Sequence, residues 1–476
     1  MVESSIPSYD IIILGGGPGG ERAAIQAATA GKRVALVERA HVGGGAAINW
    51  GTIPSKTLRE SALFVHGLQR HRLHGFQAEL TDEVTVADFM YRERLVVQRE
   101  LELIGSSLGR YRVEVFRGHG RFVDPHTVEV LGKDGRRKTL LRGDVLVIAT
   151  GSRPNHPDDV PFDGFTVFDS DAILKLPRMP KTMIVLGAGV IGIEYASIFA
   201  ALGVYVTLVD TRAELLPYLD REIVGILERA LGGLHVEIRH EDRYARIEPA
   251  RGTPPRVRCV MASGRELSAD VLLYCVGRDG NTNDLGLEHI GITADKYGLL
   301  EVDERLATKH PHIFAVGDVI GYPALASTAM EQGRRAVRNA FGLPGLRSHE
   351  VLPFAIYSIP EVSYIGLTEE KLKESGRAYV AGRGHYGMNP RGQIIGDTDG
   401  LLKLLFDAAD GRLLGAHMVG ESASELIHIG QAYLNMKATA FDLAESLYNY
   451  PTLADLYRHA AQTAAAELIA RGVQVE

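Results

Sequence analysis

The chain has 476 residues, 45% hydrophobic and 23% charged, a composition that suits a globular protein of several domains and excludes a single core. A formal net charge of −7 and a pI near 6.2 exclude a general nucleic-acid-binding face and leave only local anion sites open. The two cysteines, Cys259 and Cys275, sit in no CxxC or metal spacing, no histidine pair has metal spacing, and no run of 18 apolar residues is long enough to span a membrane.

The N-terminus, MVESSIPSYD, has no basic stretch followed by an apolar one, so no signal peptide is expected and the cytoplasm is the default location. Residues 9–38, YDIIILGGGPGGERAAIQAATAGKRVALVE, read as strand, glycine-rich turn, helix and strand. Gly15, Gly17 and Gly20 stand in the turn, and Glu38 ends the second strand. In such a turn the first glycine permits the bend, the second lets the backbone approach a pyrophosphate, and the third lets the helix pack on the strand. The acid accepts hydrogen bonds from ribose hydroxyls. Next comes GGGAAINWGTIPSK at 43–56, and from about 52 to 117 an amphipathic helical region, with LRESALFVHGLQ its clearest piece. The strand DVLVIATGSRP follows at 144–154 and contains Thr150 and Gly151.

Residues 181–210, KTMIVLGAGVIGIEYASIFAALGVYVTLVD, repeat the first unit. Gly187, Gly189 and Gly192 match the earlier glycines, Asp210 matches Glu38, and the interval from first glycine to acid is 23 residues in both. A second exit strand, DVLLYCVGRDGN at 270–281, carries Gly277. Two nested dinucleotide-binding units are therefore expected, the second inserted in the first. Asp210 suits the 2′-hydroxyl of NAD(H), while Arg212 either offers a charged fork to the 2′-phosphate of NADP(H) or is a solvated loop residue. Cys275, in VLLYCVG, reads as a buried small hydrophobe. After residue 350 the pattern changes to antiparallel strands and then helices, and His428, in ELIHIGQA, reads as a core or interface residue. The expected class is α/β: two nested Rossmann-like domains plus a C-terminal α+β domain. The expected boundaries are 1–155 and 281–350 for the first domain, 156–280 for the second and 351–476 for the last.

These motifs, in this order over essentially the whole chain, resemble the two-dinucleotide-binding flavoprotein disulfide reductases. Their second FAD motif resembles TKHPHIFAVGDVIGYPALA, which contains Asp318 and Ala326. The resemblance implies FAD in the first unit, with Asp318 on the ribityl chain, NAD(H) or NADP(H) in the second, and a homodimer or higher oligomer through the last domain. It places Lys56 beside the flavin, where a cation would favour hydride acceptance, and pairs it with Glu194. Family members carry two cysteines five positions apart, but here those positions hold Ala47 and Thr52. Thr52 joins Lys56 and Glu194 as a candidate catalytic residue. The family's His-Pro base is also replaced, by Tyr450-Pro451, with Asp455 in place of the glutamate. A phenol with a pKa near 10 cannot replace histidine near neutrality, and Tyr450 is expected to pack at a subunit interface.

The Trp-Gly-Thr segment, HIGQA and Tyr-Pro-Thr resemble the branch of this family that passes hydride between NADPH and NAD+, although that branch usually keeps a cysteine where Ala47 stands. Such an enzyme needs no thiol and no proton donor. An NAD(P)H:quinone reductase is the alternative. Against a non-catalytic flavin-binding module stand Lys56, Glu194 and both complete fingerprints.

Overall fold

The computed structural model describes residues 6–40, 43–70, 86–250, 252, 254–345 and 351–473. The strand Ser8–Leu14 lies at the centre of the first sheet, paired in parallel with Val34–Glu38 on one side and Lys138–Ile148 on the other. Its continuous apolar run is explained by burial on both faces. Ile11 and Ile13 enter one hydrophobic cluster, while Ile12 and Leu14 enter another across the sheet. Ile313–Ala315 pairs in parallel with the end of Lys138–Ile148, so the chain returns to this sheet late.

Between these visits it builds a second parallel sheet, in the order Val236–Arg239, Tyr205–Val209, Thr182–Leu186, Val271–Tyr274 and Val167–Asp169. The chain leaves the first sheet through Ser152–Pro154 and comes back through Arg278–Gly280, and these two short strands pair antiparallel. The nested α/β reading thus matches the fold. An antiparallel sheet of Tyr244–Ala250, Arg256–Met261 and Glu266–Ala269, which no motif had marked, is added to the second unit.

The helical region expected over 52–117 needs correction. Helices cover Thr52–Arg70, Val86–Phe89 and Tyr91–Arg110, but Glu114–Arg117 is a strand paired in parallel with Val34–Glu38. The helix ends at Arg110, and the strand formers Val115 and Phe116 pair at the open edge of the first sheet. Residues 71–85 lie outside the described ones. Pro54, Ser55 and Lys56 stand in the first turns of the helix Thr52–Arg70, where the missing proline N–H has no intrahelical partner to lose.

The C-terminal unit is a five-stranded antiparallel sheet, Phe354–Ile356, Val362–Gly366, Leu413–Val419, Leu401–Asp407 and Tyr379–His385, flanked by Ala423–Asn435 and Leu456–Ala470. Its junction with the second unit is ionic. Lys403, 1% exposed, meets Asp220 at 2.8 Å and Glu222 at 3.1 Å, both at the start of the helix Arg221–Gly233, and also Glu369. Arg383 holds Glu222 at 2.8 Å from the same side. Among the described residues no helix is long and apolar enough to cross a membrane, and no group of three or more His, Cys, Asp or Glu side chains is placed to hold a metal ion.

Candidate active site

The two glycine fingerprints fold alike. Gly15 and Gly187 have φ of +108° and +96°, a region that favours glycine. A Cβ at Gly20 would lie 1.9 Å from the Gly15 carbonyl oxygen, and one at Gly192 1.9 Å from that of Gly187. The first and third glycines are thus required by the protein itself. The second are not. A Cβ at Gly17 would meet only the Gly45 Cα at 3.7 Å, and one at Gly189 nothing within 4 Å. Both precede helices, Pro18–Thr29 and Val190–Ala201, that have no side-chain cap on their first N–H groups. Bare N–H groups at a positive helix end, with open space before them, fit a bound pyrophosphate.

A cavity of about 780 Å³ opens beside the first fingerprint. Gly15, Gly17, Glu38, Thr52, Lys56, Thr150, Gly151, Glu194, Asp318 and Ala326 all line it, whereas Gly20 packs beneath the helix. Glu38 is buried, and its two carboxylate oxygens accept from the N–H groups of Gly16 and Ala40, each at 2.7 Å. The Thr150 hydroxyl is buried without a hydrogen-bond partner, as expected of a group that awaits a ligand. Asp318 accepts from the Ser152 hydroxyl at 2.7 Å, and Ser152 in turn accepts from Arg278 Nε at 2.9 Å. A dinucleotide cofactor therefore fits: pyrophosphate at Gly17, ribose at Glu38 and polar chain at Thr150 and Asp318.

The fold brings Lys56 and Glu194 together from positions 138 residues apart, Nζ to Oε2 at 2.7 Å. Val190–Ala201 is apolar almost all round and buried from Gly192 to Ala201. Its Ile193, Ala196 and Ile198 share a core cluster with Leu58 and Ala62 of Thr52–Arg70, which sets the pair in register. Asp171 also lines the cavity and was not marked by any motif; burial raises its carboxyl to about 6, against the pull of Arg278 at 3.9 Å.

Gly187, Gly189, Gly192, Asp210, Arg212 and Gly277 stand outside this cavity. Gly277, with φ of +85°, forms the turn before Arg278–Gly280. Arg212 folds back on Asp210, Nη2 to Oδ2 at 2.5 Å and Nε to Oδ1 at 3.1 Å, and reaches the Ala188 carbonyl at 3.1 Å. Burial alone would raise the Asp210 carboxyl, but the hydrogen bonds from Arg212 outweigh it and hold the group below its usual range.

Three further residues take the following places. His428 is exposed at the cavity mouth, its Nδ1 2.8 Å from Gln431 Oε1, because its side of Ala423–Asn435 faces away from the core. Cys275 is only partly buried, since it lies where its strand ends at Tyr274. Tyr450 is 72% exposed in the single chain, and Asp455 is buried under Arg458 at 2.8 Å and His459 at 3.3 Å.

Ala47 and Thr52 line the cavity, while Cys259 and Cys275 do not. Burial pushes the Cys259 thiol up to about 11 and the Cys275 thiol higher still. No thiolate is available near neutral pH. Titration of the flavin-loaded protein with NADPH is thus expected to show no thiolate–flavin charge-transfer band. A band that disappears when either cysteine is mutated would contradict this placement.

Comparison with known proteins agrees with the geometry. The family described as pyridine nucleotide-disulphide oxidoreductase matches residues 9–333, and its dimerisation domain matches 352–461. The chain is 46% identical to the soluble pyridine nucleotide transhydrogenase of Mycobacterium bovis (strain BCG / Pasteur 1173P2), over 95% of this chain and 96% of the relative. It is 42% identical to that of Enterobacter sp. (strain 638), over 95% and 97%. Among solved structures it resembles LpdA from Mycobacterium tuberculosis, with a TM-score of 0.87 and 28% identity over 96% of this chain and 99% of that one. It also resembles the HOCl-induced flavoprotein disulfide reductase RclA from Escherichia coli, with a TM-score of 0.84 and 28% identity over 95% and 99%.

Proposed function

The chain belongs to the pyridine nucleotide-disulphide oxidoreductase family, and we propose that it is an FAD-dependent transhydrogenase that moves hydride between NADPH and NAD+. The observation that carries this reading is a complete pair of nucleotide sites around a Lys56–Glu194 pair, with Ala47 and Thr52 where a redox disulfide would stand. FAD, when bound, supplies a centre that takes a hydride from one nicotinamide and yields it to another. The net exchange, NADPH plus NAD+ to NADP+ plus NADH, releases and consumes no proton. A site without thiols, and without histidine at position 450, is therefore sufficient for it.

The chain's own residues bind and orient. The backbone at Gly15–Gly17 and the start of Pro18–Thr29 hold the FAD pyrophosphate, Glu38 the ribose, and Thr150, Gly151, Asp318 and Ala326 the rest. Gly187, Gly189 and Gly192 receive the nicotinamide nucleotide. Lys56, fixed by Glu194, keeps a positive charge beside the flavin, with Thr52 on the same wall. Holding donor and acceptor in contact supplies most of the rate. The partner is a second copy of the chain, joined through the matched dimerisation segment. The cytoplasm, which holds both nucleotides, suits this activity.

Stopped-flow mixing tests the assignment. Reduction of the yellow protein by NADPH, followed by NAD+, should restore the oxidised spectrum within one turnover. Reoxidation by a quinone but not by NAD+ would move the protein to the quinone-reductase reading.

Nucleotide choice turns on Asp210 and Arg212. The 2′-hydroxyl of NADH calls on the Asp210 carboxylate and the 2′-phosphate of NADPH on the Arg212 guanidinium, so both nucleotides meet the same ion pair. Arg212→Ala should weaken NADPH far more than NADH. A charge-assisted contact is worth about 1.5–3 kcal/mol, roughly tenfold to more than a hundredfold in affinity. Asp210→Ala should weaken NADH and relieve repulsion of the phosphate. Dissociation constants of both nucleotides for both variants decide it, and equal losses from Arg212→Ala would remove Arg212 as the phosphate reader.

A further inference from the structure

Tyr357 follows the strand Phe354–Ile356 of the C-terminal unit and lines the same cavity as Lys56. Two of its groups touch the charged pair. The Lys56 ammonium stands 4.8 Å from the centroid of the Tyr357 ring. The Tyr357 backbone N–H donates to Glu194 Oε1 at 2.9 Å, while Glu194 Oε2 accepts from Lys56. The arrangement draws one residue from each nucleotide unit and one from the C-terminal unit.

The surrounding segment is pinned. The Ile359 N–H donates to the Ser197 hydroxyl at 3.0 Å, and the Ser358 carbonyl accepts from Arg59 Nε at 3.1 Å. Arg59 is itself buried and ion-paired with Glu361 at 3.0 Å. Ser197 and Arg59 lie three residues beyond Glu194 and Lys56 on the two helices that carry the pair. Burial raises the pKa of the Tyr357 phenol, so the ring stays neutral. A neutral ring face attracts an ammonium through its quadrupole.

We propose that Tyr357 is a positioning residue for hydride transfer: its ring steadies the Lys56 ammonium and its backbone steadies Glu194, so the C-terminal unit sets where the positive charge stands beside the flavin. This rests on Lys56 being the flavin-side cation. Lys56 has four rotatable bonds and a side chain about a quarter exposed, so the ion pair alone leaves it a choice of rotamers. The ring removes part of that choice.

The test uses flavin-loaded Tyr357→Leu and Tyr357→Phe, each alone and combined with Lys56→Met. The flavin midpoint potential and the single-turnover rate of flavin reduction by saturating NADPH are measured. Tyr357→Leu should slow reduction about three- to thirtyfold and make the potential more negative, with little change in NADPH affinity. Tyr357→Phe keeps the ring face and should restore both. On Lys56→Met, Tyr357→Leu should add nothing, because its effect passes through the lysine. Should Tyr357→Leu lose flavin, Tyr357→Met carries the same comparison. Unchanged rate and potential in Tyr357→Leu would overturn the proposal, as would a Tyr357→Phe defect equal to that of leucine. An undiminished leucine effect without Lys56 would show a merely structural role. A wild-type rate and potential in Lys56→Met would instead sink the reading of Lys56 itself, and the proposal with it.

Discussion

Replacing Gly17 by valine is expected to give a folded protein that no longer holds flavin. Gly17 has φ of −74° and ψ of −176°, extended backbone that valine adopts readily. A Cβ there meets protein only at 3.7 Å, in ordinary contact, so the fold itself tolerates the change. The valine methyls would instead enter the space before the helix Pro18–Thr29, where a pyrophosphate must sit. Displacing a tightly held group by a methyl's width costs about 1–3 kcal/mol or more, roughly fivefold to over a hundredfold in affinity. Gly20→Val makes the contrast. Its Cβ would meet the Gly15 carbonyl oxygen at 1.9 Å, so that variant should fail to fold. The measurements are flavin content by absorbance and folding by circular dichroism. Full flavin occupancy in Gly17→Val would remove the first unit as the FAD site.

The second large effect concerns the junction between the second unit and the C-terminal sheet. Lys403→Met keeps the volume and removes the charge. It leaves Asp220, which is 0% exposed, as a buried carboxylate without its cation. Breaking one side of a buried pair in this way costs about 3–5 kcal/mol. Urea unfolding should show that loss, and adding Asp220→Asn should recover part of it. A Lys403→Met protein as stable as the parent would mean the cluster is not held as described. The cluster also carries a pH signature. Burial alone would raise the Glu369 carboxyl, but hydrogen bonds from Lys373, Lys403 and Tyr379 outweigh it and hold the group down to about 2. A depressed carboxyl stabilises the fold fully above its unfolded pKa of about 4.3 and loses that contribution as pH falls toward 2. The parent should therefore lose stability through this acid window more steeply than a Glu369→Gln variant.

Helix 190–201 illustrates why the ligand fingerprints could be read so early. The left-handed turn at Gly187 and the close approach at Gly192 are satisfied within six residues of chain, so they leave a local mark in the sequence. The same holds for Gly15–Gly20, and the repeated 23-residue interval to Glu38 and Asp210 exposed the nesting of two units. The strand Glu114–Arg117 is the opposite case. Val115 and Phe116 are good strand formers, but four residues at the end of a long helical stretch are too short to stand out, and their pairing with Val34–Glu38 shows only in the fold.

Local backbone requirements, hydrophobic period and the identities at Ala47, Thr52 and Tyr450 were therefore determined by the sequence by itself, and with them the α/β class, both nucleotide fingerprints and the missing thiols. The directions and partners of the side chains were decided only by the tertiary structure. Arg212 turns onto Asp210 rather than into solvent because a buried carboxylate beside it needs a counter-charge. His428 faces the cavity mouth and Asp171 its wall because of how whole units dock. Tyr357, 301 residues from Lys56, reaches it only when helices 52–70 and 190–201 pack against the C-terminal sheet. The contacts of His428, Asp171 and Tyr357 depend on packing between distant segments, and no pattern of neighbouring residues encodes them.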